Sequence, residues 1–250
     1  MVSQKTVMSE AEVIVKGEYH SSRGDHAHER KILTEGVDHL VLEGPEREAK
    51  YGLFQQWYAF AMLLTEYLFF RVFYTDSSVL EDIAKAQNAE VMKTRESDAA
   101  ILENSHILVR VFAAVLFLVL FFGAALFGIT GVHFYGVSLL LLSAMLPPLV
   151  LRMHESTRSS KSRNELMAGK IADAAEEGRR VVAVVGDSHA DDVCDQLPES
   201  IDPKREDPEY PWYTWQHFKD ITYPTFVFVS VLWVFYTVFV AYFEFAWELT

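Results

Sequence analysis

The chain is poor in cysteine and in basic residues. It has one cysteine, Cys194, and 22 basic against 35 acidic residues in a total of 250. A single cysteine excludes an intramolecular disulfide and a thiolate metal cage, so a metal would need histidine and carboxylate ligands. The net charge of −13 predicts no nucleic-acid partner, because phosphate binding needs a basic face. Residues 1–12 lack the cationic start and apolar core of a secretory signal, so we expect no cleaved signal.

Long apolar runs predict an integral, multi-pass membrane protein. Residues 109–132, 134–151 and 223–247 are each long enough to cross the lipid bilayer, which takes about 20 mostly apolar residues. Pro147 and Pro148 are expected to bend or end the second span.

A fourth apolar segment, residues 53–73, leaves two interpretations open. It holds Gln55, Gln56, Glu66 and Arg71. A carboxylate near the middle of a bilayer costs about 2.5–3.5 kcal/mol. We therefore favour an aromatic helix that is buried or lies on the membrane surface. The alternative is a fourth span, which would put the two polar parts of the chain on opposite sides of the membrane.

The basic residues beside the predicted spans indicate which side each segment faces. They precede the first span and follow the second, whereas the link 129–136 and the tail after residue 242 have none. By the positive-inside rule, residues 1–108 and 152–222 are cytoplasmic and the C-terminus is outside. The basic residues concerned are Lys93, Arg95, Arg110, Arg152, Arg158, Lys161 and Arg163.

Short β-branched runs alternate with helical segments in the polar parts of the chain, which predicts an α/β domain with a mostly parallel sheet. Strands are expected at 12–16, 39–42 and 180–185, and residues 76–106 are expected to be helical. Three transmembrane helices interrupt and follow the domain. The predicted order is 1–108 first part of the domain, 109–151 transmembrane hairpin, 152–200 second part, 201–222 linker and 223–247 third transmembrane helix.

Two glycine-histidine motifs, Gly17-x-x-His20 and Gly186-x-x-His189, each follow a predicted strand. This position puts each imidazole at the carboxyl edge of the sheet, where open α/β sheets bind ligands. Glu43 ends a third predicted strand and is expected at the same edge. Two imidazoles and a carboxylate are a common ligand set for a catalytic divalent ion. His20, His189 and Glu43 therefore predict a site for zinc, manganese or cobalt.

Each of these residues also has a structural interpretation. A histidine after a strand often makes only local hydrogen bonds, and Glu43 can serve a turn. Arg163 opens a predicted helix, where it either clamps a substrate carboxylate or oxyanion or simply flanks the membrane. The acidic, histidine-containing run at 25–29 is expected to be solvated, and Asp191 and Asp192 are expected at the start of a helix.

Four features together resemble the TraB/PrgY/Tiki family of membrane-associated proteins. They are Gly17-x-x-His20, Glu43 in Val-Leu-Glu, Arg163-Asn164-x-x-Met167-Ala168, and Gly186-x-x-His189 after Val-Val-Ala-Val-Val. The resemblance implies an α/β domain with metal-dependent protease or related hydrolase activity on a peptide or another acyl bond. Some members are tied to the control of secreted peptide signals. It also implies that His20, Glu43, Arg163 and His189 form the site.

Two other functional classes stay open. Gly186-Asp187-Ser188-His189-Ala190 resembles the nucleophile block of SGNH-type hydrolases and acyltransferases, with Ser188 as nucleophile. That chemistry needs a base, and the one Asp-x-x-His spacing, Asp25 to His28, precedes the serine. The remaining class is a membrane regulator or receptor that keeps the fold and binds a ligand without turnover.

Cysteine labelling tests the predicted topology. In the Cys194-free protein, single cysteines at positions 20 and 160 are expected to be protected from an impermeant thiol reagent in sealed, right-side-out cells, because both lie on cytoplasmic segments. A cysteine added after residue 247 is expected to react. All three positions should react in permeabilised cells. Labelling of position 20 without position 160 would contradict both the topology and a site shared by the two motifs.

Overall fold

A computed structural model describes residues 11–45, 51–70, 77–95, 97–158 and 163–249. Their contacts divide into two compact units. The first, here the sheet unit, comprises 11–45, 77–95 and 163–218, and the second, here the helical unit, comprises 51–70, 97–158 and 219–249. Residues 51–70 and 97–108, which the sequence placed with the sheet, therefore cluster with the apolar helices.

The strands and helices alternate along much of the chain. The strands are β1 (Glu12–Glu18), β2 (His39–Pro45), β3 (Glu90–Arg95), β4 (Arg180–Gly186) and β5 (Pro203–Glu206). The helices are α1 (Arg23–Thr34), α2 (Gln56–Thr65), α3 (Ser78–Ala86), α4 (Asp98–Asn104), α5 (Ile107–Ile129), α6 (His133–Arg158), α7 (Arg163–Glu177), α8 (Asp187–Asp195) and α9 (Trp215–Glu248), with 3-10 and π turns at Leu53–Gln55 and Glu66–Phe70.

The sheet unit is built on one parallel sheet of five strands in the order β3-β2-β4-β1-β5. The predicted parallel α/β sheet is confirmed, and the three predicted strands lie side by side as β2, β4 and β1. Helices cover both faces. Val15 and Val185 contribute to a core with α7 and α8, whereas Ile14 and Val184 contribute to a core with α1 and α3. Burial on both faces explains why β1 and β4 contain runs of β-branched residues.

The two edge strands correct the sequence analysis. The segment 76–106 was expected to be helical but contains β3, and the expected linker 201–222 contains β5. Within the described ranges, both strands pair on one side only, β3 with β2 and β5 with β1. Edge strands tolerate charged side chains, which discourage pairing with other chains. The sequences EVMKTR and PKRE therefore lack the apolar runs that mark the central strands.

The pairing of β2 with β3 decides how residues 53–73 relate to a membrane. Residues 71–73 lie outside the described part of the chain. The described part of the segment, 53–70, lies between these two strands in sequence, and both strands belong to the same parallel sheet. Strands can share backbone hydrogen bonds only on one side of a membrane, so a single crossing between them is excluded. The favoured interpretation is thereby supported. In the helical unit, α2 buries Tyr58, Ala61 and Leu64 and leaves Phe60 and Leu63 exposed.

Three helices among the described residues are long and apolar enough to cross a membrane, at Ile107–Ile129, His133–Glu155 and Trp215–Glu248. They correspond to the three predicted spans, which are supported by length and composition. Ala124 and Leu140 pack with Tyr236 in a buried cluster, so all three helices contribute to one core. The sides that their connections face stay a prediction.

Helix α6 continues through Pro147 and Pro148 to Arg158. Of the two expectations, that these prolines bend or end the span, the second is wrong and the first stays a prediction. Pro148 has no N–H to donate to the carbonyl of Ala144 four residues earlier. The buried Thr65 hydroxyl, on α2, lies 2.8 Å from that carbonyl oxygen and 2.9 Å from Ala61 O on its own helix, so the two acceptors share its hydrogen. A neighbouring helix thus supplies a donor where the proline removes one.

Replacing Thr65 by valine tests this contact. Valine keeps the shape of threonine and removes the donor, so we expect Thr65→Val to lower the free energy of unfolding by about 0.6–1.7 kcal/mol, the range of hydrogen bonds between membrane helices. Denaturation of the purified protein in detergent measures the change. Thr237→Val is the control, because the exposed Thr237 hydroxyl bonds only within its own helix, to Trp233 O. Equal stability of Thr65→Val and wild type would contradict the proposed role.

Candidate functional site

The two glycine-histidine motifs lie side by side at the carboxyl edge of the sheet. β1 and β4 are neighbours, and Glu18 pairs with Gly186, so the two strands end at the same level. β2 flanks β4 on its other side and carries Glu43 directly after the pair of Leu42 with Val184. Three adjacent strands therefore deliver the candidate residues to one edge.

Gly186 is the point around which these residues meet. A Cβ atom on Gly186 would lie 3.3 Å from Glu43 Oε2, 3.6 Å from His20 Nε2 and 3.7 Å from His189 Cδ2. His20 Nε2 and Glu43 Oε2 are 4.0 Å apart. The structure thus brings together His20, Glu43 and His189, and the missing side chain of Gly186 leaves room between them.

Arg163 neutralises the carboxylate at this edge. The Glu43 side chain is 5% exposed, and its Oε1 pairs with the Arg163 guanidinium. Glu43 Oε2 accepts a hydrogen bond of 3.0 Å from the Gly186 amide. An unpaired buried carboxylate is strongly destabilising, so both contacts help to hold Glu43 in place. Desolvation lowers the pKa of Arg163. Arg163 therefore belongs to the site, whether or not it also flanks the membrane.

Glu18 orients His20, and sequence analysis missed it. Glu18 Oε1 lies 2.7 Å from His20 Nδ1, so Nε2 is the ring nitrogen on the Glu43 side. A carboxylate on one ring nitrogen commonly fixes the tautomer of a metal-binding histidine and makes the other nitrogen more basic. The spacing of two residues between Glu18 and His20 was the available signal.

A buried polar cluster fixes the backbone of the first glycine-histidine motif. Lys16 Nζ lies 3.0 Å from Asp25 Oδ1 and donates to Gly17 O at 2.6 Å. Asp25 and Glu29 are fully buried on α1, which Ser22 caps. The expectation of a solvated run at 25–29 is wrong for these two. Burial, and then repulsion from Glu18, raises the pKa of Glu29 enough to keep it protonated at neutral pH.

A second ion-pair network holds the other motif. Arg205, on β5, pairs with Asp187 at 2.7 Å and with Asp191 at 2.9 Å. The Tyr19 hydroxyl donates to Asp187 at 3.1 Å. A Cβ on Gly17 would lie 2.7 Å from both Arg205 Nη1 and Asp187 Oδ1, which explains the glycine. Arg205 was missed because 201–222 was expected to be a linker.

The acidic residues after Gly186 differ from the sequence-based expectation. α8 begins at Asp187, so Asp191 and Asp192 lie within the helix rather than at its start. Asp192 accepts a hydrogen bond of 2.9 Å from the Asn164 side chain, which ties α8 to α7. Asn164 directly follows Arg163, so this contact helps to fix the residue that pairs with Glu43.

The surroundings of His189 favour its neutral form. Burial lowers its pKa below the ordinary value of 6.5, and the positive charge of Arg163 lowers it further, whereas Asp192 opposes this. A metal ligand must be an unprotonated imidazole, so this environment favours ligation at neutral pH.

The residue types of the candidate site suit a divalent ion, but their ligand atoms are too widely spaced to hold one as they stand. Two imidazoles and a carboxylate suit zinc, manganese or cobalt. A carboxylate oxygen has two lone pairs, so Glu43 Oε2 keeps acceptor capacity beside its bond to the Gly186 amide. In the described part of the chain, however, the group whose ligand atoms lie within 4.8 Å of one another is His39, Glu90 and Glu177 instead. Binding one ion through His20, Glu43 and His189 therefore requires a side-chain adjustment.

The alternative based on Ser188 receives no support from the geometry. Ser188 is exposed on the first turn of α8, and no hydrogen bond of its hydroxyl exists within the described residues. The Asp-x-x-His residues are engaged elsewhere: Asp25 with Lys16, and His28 at 3.5 Å from Glu209.

Comparison with known proteins adds no relative. No protein-family model matches the chain, and neither a curated protein nor a solved structure matches it. The resemblance to the TraB/PrgY/Tiki family therefore stays an expectation from the sequence motifs.

Titration of His189 tests the electrostatics of the site. In the metal-free protein, we expect NMR to show a His189 pKa below 6.5, because burial and Arg163 disfavour the imidazolium. Arg163→Gln removes one positive charge, so the midpoint should rise. Arg179→Gln is the control, since Arg179 is exposed and lies before β4, at the other edge of the sheet. A midpoint at or above 6.5 in the wild type, or an unchanged midpoint in Arg163→Gln, would contradict the arrangement.

Proposed function

We propose that this protein is a membrane-anchored, metal-dependent hydrolase of the TraB/PrgY/Tiki type, acting on a peptide or another acyl bond. The observation that carries the proposal is the meeting of His20, Glu43 and His189 around Gly186. Their position at the carboxyl edge of a parallel sheet adds support, because ligands of open α/β sheets bind there. On the distribution of basic residues, we place this domain in the cytoplasm and the C-terminus outside.

The proposed roles follow from the contacts. His20, His189 and Glu43 would hold a divalent ion. Such an ion, when bound, lowers the pKa of its water and polarises the substrate carbonyl. Glu18 keeps His20 in the tautomer that presents Nε2. Arg163 lies beside Glu43 and provides a fixed positive charge for a developing oxyanion. Alternatively, Glu43 would leave the ion to the two histidines and take up a proton from the bound water as a general base.

A regulator or receptor without turnover is the second candidate, and one observation favours it. The Arg163 guanidinium already neutralises Glu43, so the carboxylate is stable without an ion. In that case the same edge binds a ligand and no bond is broken.

Metal analysis of the purified protein separates these candidates. We expect His20→Ala and His189→Ala each to contain one equivalent of divalent metal less than the wild type, because each variant loses a ligand. Inductively coupled plasma mass spectrometry after equilibration with zinc, manganese or cobalt measures the content, and circular dichroism verifies folding. Equal metal content in both folded variants and in the wild type would favour the regulator.

Ser188→Ala is the matched control for this experiment. It changes the neighbour of His189, which the metal model treats as a spacer, so metal content and hydrolysis of fluorogenic peptides or acyl esters should persist. A serine-directed phosphonate should not label Ser188. A covalent adduct at Ser188, or an inactive Ser188→Ala protein with normal metal content, would favour the serine hydrolase instead.

A further inference from the structure

A second cluster of ligand-type residues lies at the amino edge of the sheet, opposite the two glycine-histidine motifs. His39 and Glu90 are the first residues of β2 and β3 and pair with each other, and Glu177 is the last residue of α7. One ligand atom from each of the three lies within 4.8 Å of the others. Three separate elements of the sheet unit therefore converge on one point.

His39 is the buried member of this cluster. It is 7% exposed, and its Nδ1 has no hydrogen-bond partner among the described residues. This nitrogen lies 3.9 Å from Glu90 Oε2, too far for a hydrogen bond. A buried polar atom without a partner is destabilising, so a bound ion that this nitrogen coordinates would be stabilising. Gly178 makes room for the ring, since a Cβ there would lie 2.2 Å from His39 Cδ2.

The charges around His39 favour a cation. Glu90 and Glu177 are exposed carboxylates, and α7 has no basic residue in its last turn. The C-terminal end of a helix carries a partial negative charge, which adds to that of Glu177. Arg180, the first residue of β4, lies nearby, but its positive charge is paired with Glu12 and Glu35. The cluster therefore combines an imidazole nitrogen, two carboxylates and the partial negative charge of a helix C-terminus.

We propose that His39, Glu90 and Glu177 form a second metal site, which binds a divalent transition-metal ion such as zinc. One imidazole nitrogen and two carboxylate oxygens provide three protein ligands, and mixed nitrogen and oxygen ligation suits this class of ion. The ion ties β2, β3 and α7 together. This inference is independent of the function proposed for the carboxyl edge.

Zinc binding by the full-length protein in detergent tests the site. The starting protein carries His20→Ala and His189→Ala, so that the carboxyl edge contributes no ion. We expect calorimetric titration with zinc alone to give one equivalent bound. Glu90→Gln with Glu177→Gln should raise the Kd by more than about 100-fold, because even outer partners of a metal ligand change affinity by 10–100-fold. Both changes are on exposed side chains, so folding should persist.

The matched control removes the same number of negative charges, here both from α7, whereas the test variant takes one from β3 and one from α7. Asp173→Asn with Glu176→Gln changes two exposed acidic residues of α7 outside the cluster, and the Kd should stay within about twofold of that of the starting protein. X-ray absorption of the bound zinc should show imidazole scattering from His39. No zinc binding by the folded starting protein, an unchanged Kd after Glu90→Gln with Glu177→Gln, or bound zinc without an imidazole ligand would overturn the proposal.

Wild-type protein distinguishes this inference from the proposed function. The double variant Glu90→Gln with Glu177→Gln tests the amino-edge site, and the double variant His20→Ala with His189→Ala tests the carboxyl edge. If the first loses zinc and the second retains it, the result supports the amino-edge site and counts against the hydrolase. The reverse pattern supports the hydrolase and overturns the second site.

Discussion

The parallel pairing of β4 between β1 and β2 is the constraint on which the rest of this structure depends. β1 and β2 precede both apolar helices α5 and α6, and β4 follows them. Hydrogen-bonded strands must lie in one compartment, so any membrane crossings of the chain between β2 and β4 must be even in number. The pair α5 and α6 meets this condition as a hairpin. The sheet, rather than the apolar helices alone, thus restricts the topology.

The same pairing creates the candidate site. Because the strands are parallel and Glu18 is level with Gly186, residues just beyond two distant strands arrive at the same place. Neither motif is complete on its own: Arg205 and Tyr19 brace Asp187 in the second motif, while Lys16 and Asp25 hold the backbone of the first. These braces are charged or polar groups with several bonds each, which rigidify a site more than isolated contacts do. A divided site of this kind requires both segments to fold together.

The sequence was sufficient for the central strands and for the convergence of His20, Glu43 and His189, because buried parallel strands are continuous apolar runs and their ends share one edge. It was insufficient wherever partners distant in sequence decide the outcome. β5 forms because β1 offers an open edge, and α6 continues past Pro148 where Thr65 supplies a donor. The buried positions of Asp25 and Glu29 likewise depend on Lys16 and on the packing of α1. Local composition carries no signal for such contacts.

The ion pair between Glu43 and Arg163 determines whether the carboxyl edge needs a metal ion to stabilise its buried carboxylate. A buried carboxylate needs a positive charge, and either a guanidinium or a metal ion meets that need. In the proposed function, the charge of a bound ion would disfavour a nearby guanidinium, so Arg163 and the ion would share the Glu43 carboxylate. Arg163 is 41% exposed in its side chain, and it is the first residue of α7. In the proposed function, the residue that stabilises the ion-free edge would thus also face a developing negative charge, because part of its guanidinium stays accessible beside Glu43.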